Sequence, residues 1–354
     1  MRARGPGAAE RQGREVGSQM KAPKSTASRA KTVPPGSPKE QIVAIGGKRV
    51  KLTNLDKVLW PADGYTKGDL IAYYRDVASW LLPYLRGRPL TLQRFPNGID
   101  EGSFFEKDVP RGAPDWVKTI ELPAYGRHAS VEYILCDDEA TLAFVANLAS
   151  ITLHVWTSQV GTLDNPDCAL FDLDPWEGCS LSTLASVALE LRDMLKHVGL
   201  GPLVKTSGGT GLHVIVTLAP KHDYDTVKAF AEVIARGLAE ERPRQVTLER
   251  TIAKRPRGTV YIDWVQVGKG KTIVPPYVVR ARKGAPVSMP LAWSDVEAMV
   301  RKKARDPHSE FARWSIANVR ALLAQNGDPW KREARKKQSL EFALRPRPRG
   351  SRRR

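Results

Sequence analysis

Cys168-Ala169-Leu170-Phe171-Asp172-Leu173-Asp174-Pro175 is the stretch on which the reading of this chain turns. Apolar residues run into it, and two carboxylates then alternate with Leu173. Residues two apart on a strand share a face. Asp172 and Asp174 would therefore point the same way, where two unpaired carboxylates repel unless something positive lies between them. A hard divalent cation, which takes oxygen ligands, is the simplest such group.

A second stretch follows, Lys205-Thr206-Ser207-Gly208-Gly209-Thr210-Gly211-Leu212-His213. Its glycines let the backbone approach a phosphate closely, and successive N–H groups in such a turn form an anion-binding nest. Beyond it Leu212, Val214, Val216 and Leu218 alternate with His213, Ile215 and Thr217, a strand pattern. Neither stretch is specific alone. An Asp-x-Asp pair is most often a solvated turn, and a glycine-rich turn is most often only a turn.

The order of elements joins them. A strand over 168–173 precedes a helix over 181–197, strands over 202–206 and 212–218, a helix over 225–240 and a strand over 259–266. That is β-α-β-β-α-β, the split βαβ pattern. In it the first strand lies between the fourth and the third. Asp172 and Asp174 on the first, Asp263 on the fourth and His213 on the third then converge on one sheet face. Three carboxylates there suit a two-metal site for phosphoryl transfer.

Upstream, Arg49 to Leu52 reads as a short strand. Thr66 followed by Asp69 is a capping signature for a helix over 67–85, with Leu70, Ile71, Tyr74, Val77 and Leu81 on its buried face. Lys67 stands at that helix's N-terminus, where the dipole disfavours a cation. A phosphate bound jointly by the helix end and the lysine would explain it; a solvated surface lysine is the plainer reading. Phe104 and Phe105 lie on an extended segment before Lys107, where exposed rings suit base stacking and buried ones suit a core. A helix over 139–151 leads to His154. Downstream, Arg280 and Arg282 end a basic segment, and helices are expected over 293–299 and 311–325.

Net charge is +18, and it is concentrated at the ends. Residues 1–40 hold nine Lys/Arg against three acids, and residues 331–354 hold eleven against two. These differences of +6 and +9 leave +3 for the rest, so a salt-sensitive attraction to nucleic acid would come from the ends. Five parts are expected: a disordered basic arm over 1–40, an N-terminal α/β module over 41–165, a catalytic palm-like module over 166–300, closing helices over 301–330 and a basic tail over 331–354. Cys136, Cys168 and Cys179 lack metal-ligand spacing and read as reduced thiols of a cytosolic protein. No apolar run is long enough to span a membrane.

The residues together resemble a known family, the polymerase domain of bacterial ligase D in the archaeo-eukaryotic primase superfamily. The resemblance runs from about Arg49 to Val300. It is carried by Leu52 to Pro61, by Phe104-Phe105-Glu106-Lys107, by Phe171 to Pro175, by Ser207 to His213, and by Asp263 with Gln266. It implies an α+β primase-polymerase fold with an RRM-like catalytic sheet. It implies two divalent ions, manganese or magnesium, on Asp172, Asp174 and Asp263, and a nucleoside or deoxynucleoside triphosphate substrate. Ser207, Gly208, Gly209, Thr210 and His213 would hold the triphosphate with Arg280. His154 and Gln266 would stand at the nucleotide, Phe104 and Phe105 at its base or the template, and Lys57 and Lys67 at a downstream 5′-phosphate. Thr210 stands where many relatives carry lysine, and Gln93 where some have a basic residue.

The resemblance further implies extension of DNA 3′-ends at gaps or breaks with a preference for ribonucleotides, in non-homologous end joining or gap repair. The partners it implies are gapped or broken double-stranded DNA, an end-binding Ku protein and a DNA ligase, in the bacterial cytoplasm at the nucleoid. Two other readings compete. A manganese-dependent nucleotide-sugar glycosyltransferase also uses Asp-x-Asp but has no use for Asp263. A non-catalytic end-bridging module gains nothing from acids that face phosphates.

Overall fold

The computed structural model describes residues 39–123, 130–302 and 306–344. The chain enters through a hairpin of β1 (Glu40–Ile45) and β2 (Lys48–Thr53), which turns at Gly46 and Gly47. Both glycines have positive φ, +55° and +79°, as a tight two-residue turn requires. The short pair β3 (Val58–Trp60) and β4 (Tyr65–Thr66) leads into α1 (Lys67–Asp76) and α2 (Ala78–Leu85). Thr66 Oγ1 accepts from the Asp69 N–H at 3.2 Å, and Asp69 Oδ2 accepts from the Thr66 N–H at 2.8 Å, the capping box expected from the sequence. One helix was expected over 67–85. It breaks at Val77, whose φ of −99° and ψ of 4° leave the helical well. Leu70, Ile71, Tyr74, Val77 and Leu81 are all buried nonetheless, so the apolar period runs through the break and hides it.

Next come β5 (Pro89–Arg94), β6 (Phe104–Glu106), β7 (Thr119–Pro123), β8 (Ser130–Leu135), α3 (Glu139–Asn147) and β9 (Ser150–Trp156). The helix expected over 139–151 ends at Asn147, because Ala149 adopts a φ of +58° and Ser150 already opens β9. Ile151 continues the apolar pattern but belongs to the strand. β9 pairs antiparallel with β5, which pairs in turn with β8 and β6.

The central layer contains β10 (Cys168–Pro175), α4 (Leu181–His197), β11 (Leu203–Thr206), β12 (Leu212–Thr217), α5 (Tyr224–Glu241), β13 (Val246–Thr247) and β14 (Val260–Asp263). The chain then forms β15 (Thr272–Ile273), β16 (Pro290–Leu291), α6 (Trp293–Val300), α7 (Pro307–Phe311) and α8 (Val319–Asn326). The central sheet runs β13-β14-β10-β12-β11-β16. The first strand of the split βαβ unit, β10, thus lies between the fourth and the third, as expected. Ala169, Phe171 and Leu173 of β10 and Val214 and Val216 of β12 are fully buried on the face beneath the helices. The alternate residues form the other face, which carries the acids.

Three further features depart from the sequence reading. The strand expected over 259–266 ends at Asp263, whose Oδ1 accepts from the Val265 N–H at 3.0 Å and turns the chain. The helix expected over 311–325 forms only from Val319, as α8, while α7 ends at Phe311, because the residues between bond elsewhere: the Ile316 N–H donates to Ala285 O and Trp314 O accepts from the Val287 N–H. The tail expected from 331 is packed as far as Leu340, which is fully buried. Gln338 Oε1 accepts from the Gly201 N–H at 2.6 Å, its Nε2 donates to Gly201 O at 2.9 Å, and its backbone bridges to Leu218. Of the arm expected over 1–40 only residues 39 and 40 are described, and Glu40 already opens β1. Arg345 to Arg349 lie outside the described residues.

The two large sheets share one apolar core running from Ile45 to Leu340. β15 pairs with β9 in the N-terminal sheet, so the spatial division does not follow the sequence division at 165–166 there. The cysteines are free and buried. If residues 331–340 are part of this core, Leu340→Ala costs about 2–4 kcal/mol in denaturant unfolding; a cost near zero would return the segment to a free tail.

Candidate active site

Register places four polar residues in one row across four strands. Asp263 of β14 pairs with Asp172 of β10, Asp172 with His213 of β12, and His213 with Lys205 of β11. Directly opposed residues share a face, so the row presents two acids, an imidazole and an ammonium side by side. Asp174 lies two residues along the same face, opposite Tyr261.

The row is electrostatically strained. Burial, then the charges of Asp174 and Asp263, push the Asp172 carboxyl well above the ordinary range. Burial also raises Asp174; Arg255 opposes that rise and Asp263 adds to it. His213 Nε2 stands 3.4 Å from Asp172 Oδ1, but burial, Lys205 and Arg280 hold the ring well below its usual pKa. The imidazole is neutral and does not offset the carboxylate. Among the described residues Asp172 Oδ1 is buried without a hydrogen-bond partner, as is His213 Nδ1.

These observations fit a cation at Asp172 and Asp174: an orphaned acceptor, and carboxylates that repel until positive charge joins them. Asp263 is held differently. Its Oδ1 accepts from the Val265 N–H at 3.0 Å and its Oδ2 from Gln266 Nε2 at 3.1 Å. Among the described residues no three His, Cys, Asp or Glu side chains already converge as metal ligands. Gln266, read as a nucleotide contact, thus orients Asp263.

The glycine turn meets this face edge-on. Ser207 Oγ accepts from the N–H groups of Gly209 and Gly211 at 3.2 and 3.1 Å, which ties the turn to itself. The N–H groups of Gly208 and Thr210 are unpaired among the described residues. A Cβ at Gly211 would stand 2.5 Å from Leu173 O, and one at Gly208, where φ is +74°, 2.6 Å from Arg280 Cγ. Close approach to β10 and to Arg280 therefore requires glycine at both positions. Arg280 Nη1 donates to Ser207 O at 2.8 Å. Arg280 comes from a segment clamped by the first helix and β9: Tyr73 Oη donates to Tyr277 O, Tyr74 Oη accepts from the Val279 N–H, and Thr152 Oγ1 donates to Val279 O.

The N-terminal sheet brings His154 within electrostatic reach of Arg280. The rings of Phe105 and His154 meet edge to face at 5.4 Å, and Arg94 lies over Phe104 at 5.3 Å. Both phenylalanines are exposed, 45% and 59%. Burial and the charge of Arg280 pull His154 down to about 3, so it is a neutral ring near that arginine. Gln93 Nε2 lies 3.4 Å from Ser103 Oγ.

Lys57 and Lys67 form a second cationic site. The Lys67 N–H donates to Lys57 O at 2.8 Å, so the two residues are joined through the backbone. Lys57 is exposed with its Nζ 3.2 Å from Asn97 Oδ1. Lys67 is buried, and its Nζ donates to Thr53 Oγ1 and Asn147 O, neither of them a carboxylate. The solvated-lysine reading of Lys67 is therefore wrong; among the described residues its ammonium forms no ion pair, and the charge of Asp56 acts on it only from a distance.

Two residues at the site have no role in the sequence reading. Lys205 is fully buried, donates to Ser288 Oγ at 2.6 Å, and is held well below its usual pKa by burial and Arg280. A lysine inside the second strand of a split βαβ unit, in register with His213, is the signal that marks it. Arg255 lies 3.7 Å from the ring centroid of Tyr261. It comes from an irregular basic stretch, and no periodicity singles it out.

Residues 66–330 match the family described as LigD, primase-polymerase domain. The chain belongs to that family. It is 36% identical over 289 residues to the multifunctional non-homologous end joining protein LigD of Mycobacterium bovis, covering 79% of this chain and 36% of that one. It is 32% identical over 251 residues to the bifunctional LigD of Bacillus subtilis, covering 71% of this chain and 40% of the relative. The chain thus spans well under half of either protein. The polymerase domain of Mycobacterium tuberculosis ligase D, solved in complex with DNA, superposes with a TM-score of 0.73 at 32% identity, over 82% of this chain and 99% of that one. The α+β LigD polymerase fold expected from the motifs is the fold observed. Among the described residues no helix is long and apolar enough to cross a membrane.

Burial and Lys57 bring Lys67 down to about 8. Between that value and its unfolded value near 10.4, the unfolded chain holds a proton that the folded chain has lost, so this group's contribution to stability rises with pH. Below about 8 the penalty is fully present. Relative to Lys67→Met, the wild type should gain about 1 kcal/mol from pH 7 to 9.5, allowing for solvent screening, in urea unfolding. A difference that does not move with pH would mean that Lys67 carries no buried charge.

Proposed function

We propose that this chain is a nucleotidyltransferase that extends the 3′-hydroxyl of DNA at gaps or breaks, with a preference for ribonucleotides, in non-homologous end joining. The observation that carries the reading is the row of Asp263, Asp172 and His213 beside Asp174 and a glycine turn packed against β10. Family membership and the DNA-bound relative support it.

In this reading Asp172, Asp174 and Asp263 hold two divalent ions, manganese or magnesium. Such ions, when bound, lower the pKa of the attacking hydroxyl and neutralise charge on the departing pyrophosphate. The chain's own groups do the positioning. The free N–H groups of Gly208 and Thr210, with Arg280, receive the triphosphate. Ser207 fixes the turn, and Gln266 fixes Asp263. Neutral His154 stands at the sugar without adding charge, and Phe105, in edge contact with it, offers a stacking face to the base or template. Lys57 and Lys67 receive the 5′-phosphate across the gap, which adds a directly bound counter-charge to the distant one of Asp56. A Ku protein and a DNA ligase are the proposed partners, and the cytoplasmic nucleoid the proposed location.

The test is primer extension on a short gapped duplex with manganese. Asp172→Asn should lower extension about a hundredfold or more while leaving duplex affinity within about threefold. Lys67→Ala should erase the advantage of a downstream 5′-phosphate over a 5′-hydroxyl. Extension that survives Asp172→Asn would overturn the metal-site reading. Equal loss of binding and extension would make the acids structural.

The terminal charge has its own test. Residues 345–354 contain six arginines. Their removal, which leaves Leu340 in place, should reduce the slope of log affinity against log salt by up to about 5. An unchanged slope would mean that these residues do not touch DNA.

A further inference from the structure

Three parts of the fold meet on Asp328. α8 ends at Asn326, and Gly327, with a φ of +72°, turns the chain out of the helix just before this carboxylate. Asp328 Oδ1 accepts from Tyr277 Oη at 2.7 Å and from the Trp330 N–H at 2.8 Å, and its Oδ2 accepts from Tyr84 Oη of α2 at 2.9 Å. Burial and the Asp328 charge push both phenols well above their ordinary pKa, so each remains a donor.

Tyr277 is held in strain. Its φ is +67°, a left-handed conformation that a bulky L residue rarely adopts. Such a conformation persists only where the surroundings over-determine it. Here the N–H donates to Ser288 O at 2.7 Å, the carbonyl accepts from Tyr73 Oη at 2.9 Å, and the side chain is fully buried with its hydroxyl on Asp328. Arg280 follows three residues on, after Val278 and Val279, which bond Ser288 and Tyr74. The backbone leaving Tyr277 therefore sets the approach of Arg280 to Ser207 O. The same short segment reaches the glycine turn by a second route. The Trp330 indole, 4% exposed, donates to Val204 O at 3.2 Å, on β11 three residues before Ser207. Its ring meets that of Tyr84 edge to face at 6.2 Å.

We propose that Asp328 and Trp330 are positioning residues for triphosphate binding, which hold Arg280 and the Ser207 turn in fixed relation to each other from outside the catalytic sheet. Both act through other residues, Asp328 through Tyr277 and Trp330 through β11. The inference rests on the reading of Arg280 and the glycine turn as the triphosphate site. Coupling of this kind is reciprocal: a triphosphate that prefers the braced arrangement also stabilises the segment that braces it.

Inorganic tripolyphosphate titrated into the full chain with magnesium, read by calorimetry, tests this. Tyr277→Phe and Asp328→Asn should each weaken binding at least about fivefold. Tyr84→Phe removes the other phenol from the same carboxylate, and should stay within about twofold of the wild type while losing comparable thermal stability. In the unaltered chain, tripolyphosphate should slow amide hydrogen exchange over 328–340, a measurement that needs no variant to fold. Wild-type affinity in Tyr277→Phe or Asp328→Asn, a loss in Tyr84→Phe as large as in Tyr277→Phe, or exchange over 328–340 indifferent to tripolyphosphate would each overturn the proposal. Arg280→Ala separates the bracing from the site it braces. If that variant binds tripolyphosphate as the wild type does, the triphosphate site is misassigned and the proposal falls with it. If Arg280→Ala alone weakens binding, the site stands and the bracing by residues 328–330 does not.

Discussion

The antiparallel register of β10 between β14 and β12 is the constraint on which the rest of the site depends. It sets Asp172 opposite Asp263 on one side and His213 on the other, and β11 extends the row to Lys205. A one-residue slip would turn all of these into the layer beneath the helices and bring Phe171 and Leu173 out. Burial of Phe171, Leu173 and Val214 therefore holds the acids in place, although none of the three takes part in chemistry. Gly211 completes the arrangement, since any side chain there would press on Leu173 O and separate the turn from the strand.

The charges so gathered do not balance locally. Asp172 and Asp174 are pushed toward protonation, while Lys205 and Arg280 are pushed toward deprotonation, and burial is the largest cause for all four. Partners lie nearby, but His213 between Asp172 and Lys205 is neutral and transmits no charge. Natural folds tolerate unfavourable burial of this kind where function requires it. The aromatic and hydroxyl clamp on residues 277–279 keeps Arg280 in position against its repulsion from Arg282. Lys67 repeats the theme elsewhere, as a buried cation with a second lysine beside it and no acid in contact.

Much of this was legible in the sequence because it rests on short periods. Alternation over 168–174 and 212–218, with a glycine turn between strands, was enough for the split βαβ order and for the shared face of Asp172, Asp174, Asp263 and His213. What stayed hidden depends on contacts distant in sequence. The break at Val77 leaves the apolar period intact. The end of β14 is made by the Asp263 side chain bonding its own turn, in a segment whose composition still looks like strand. Leu340 and Gln338 sit among lysines and arginines, so the net charge of the tail masks a fully buried leucine and a glutamine that locks onto Gly201 and Leu218. Lys205 looks like a solvent-facing strand residue until its register with His213 is known.

If the carboxylate row is complete only with divalent cations, thermal unfolding of wild type and Asp172→Asn, each in EDTA and in manganese, shows it. In EDTA the variant, relieved of a buried charge, should be at least as stable as the wild type. In manganese the wild type should gain several degrees by mass action and the variant little. A wild type indifferent to manganese, or a variant that gains as much, would mean that the row holds no divalent cation.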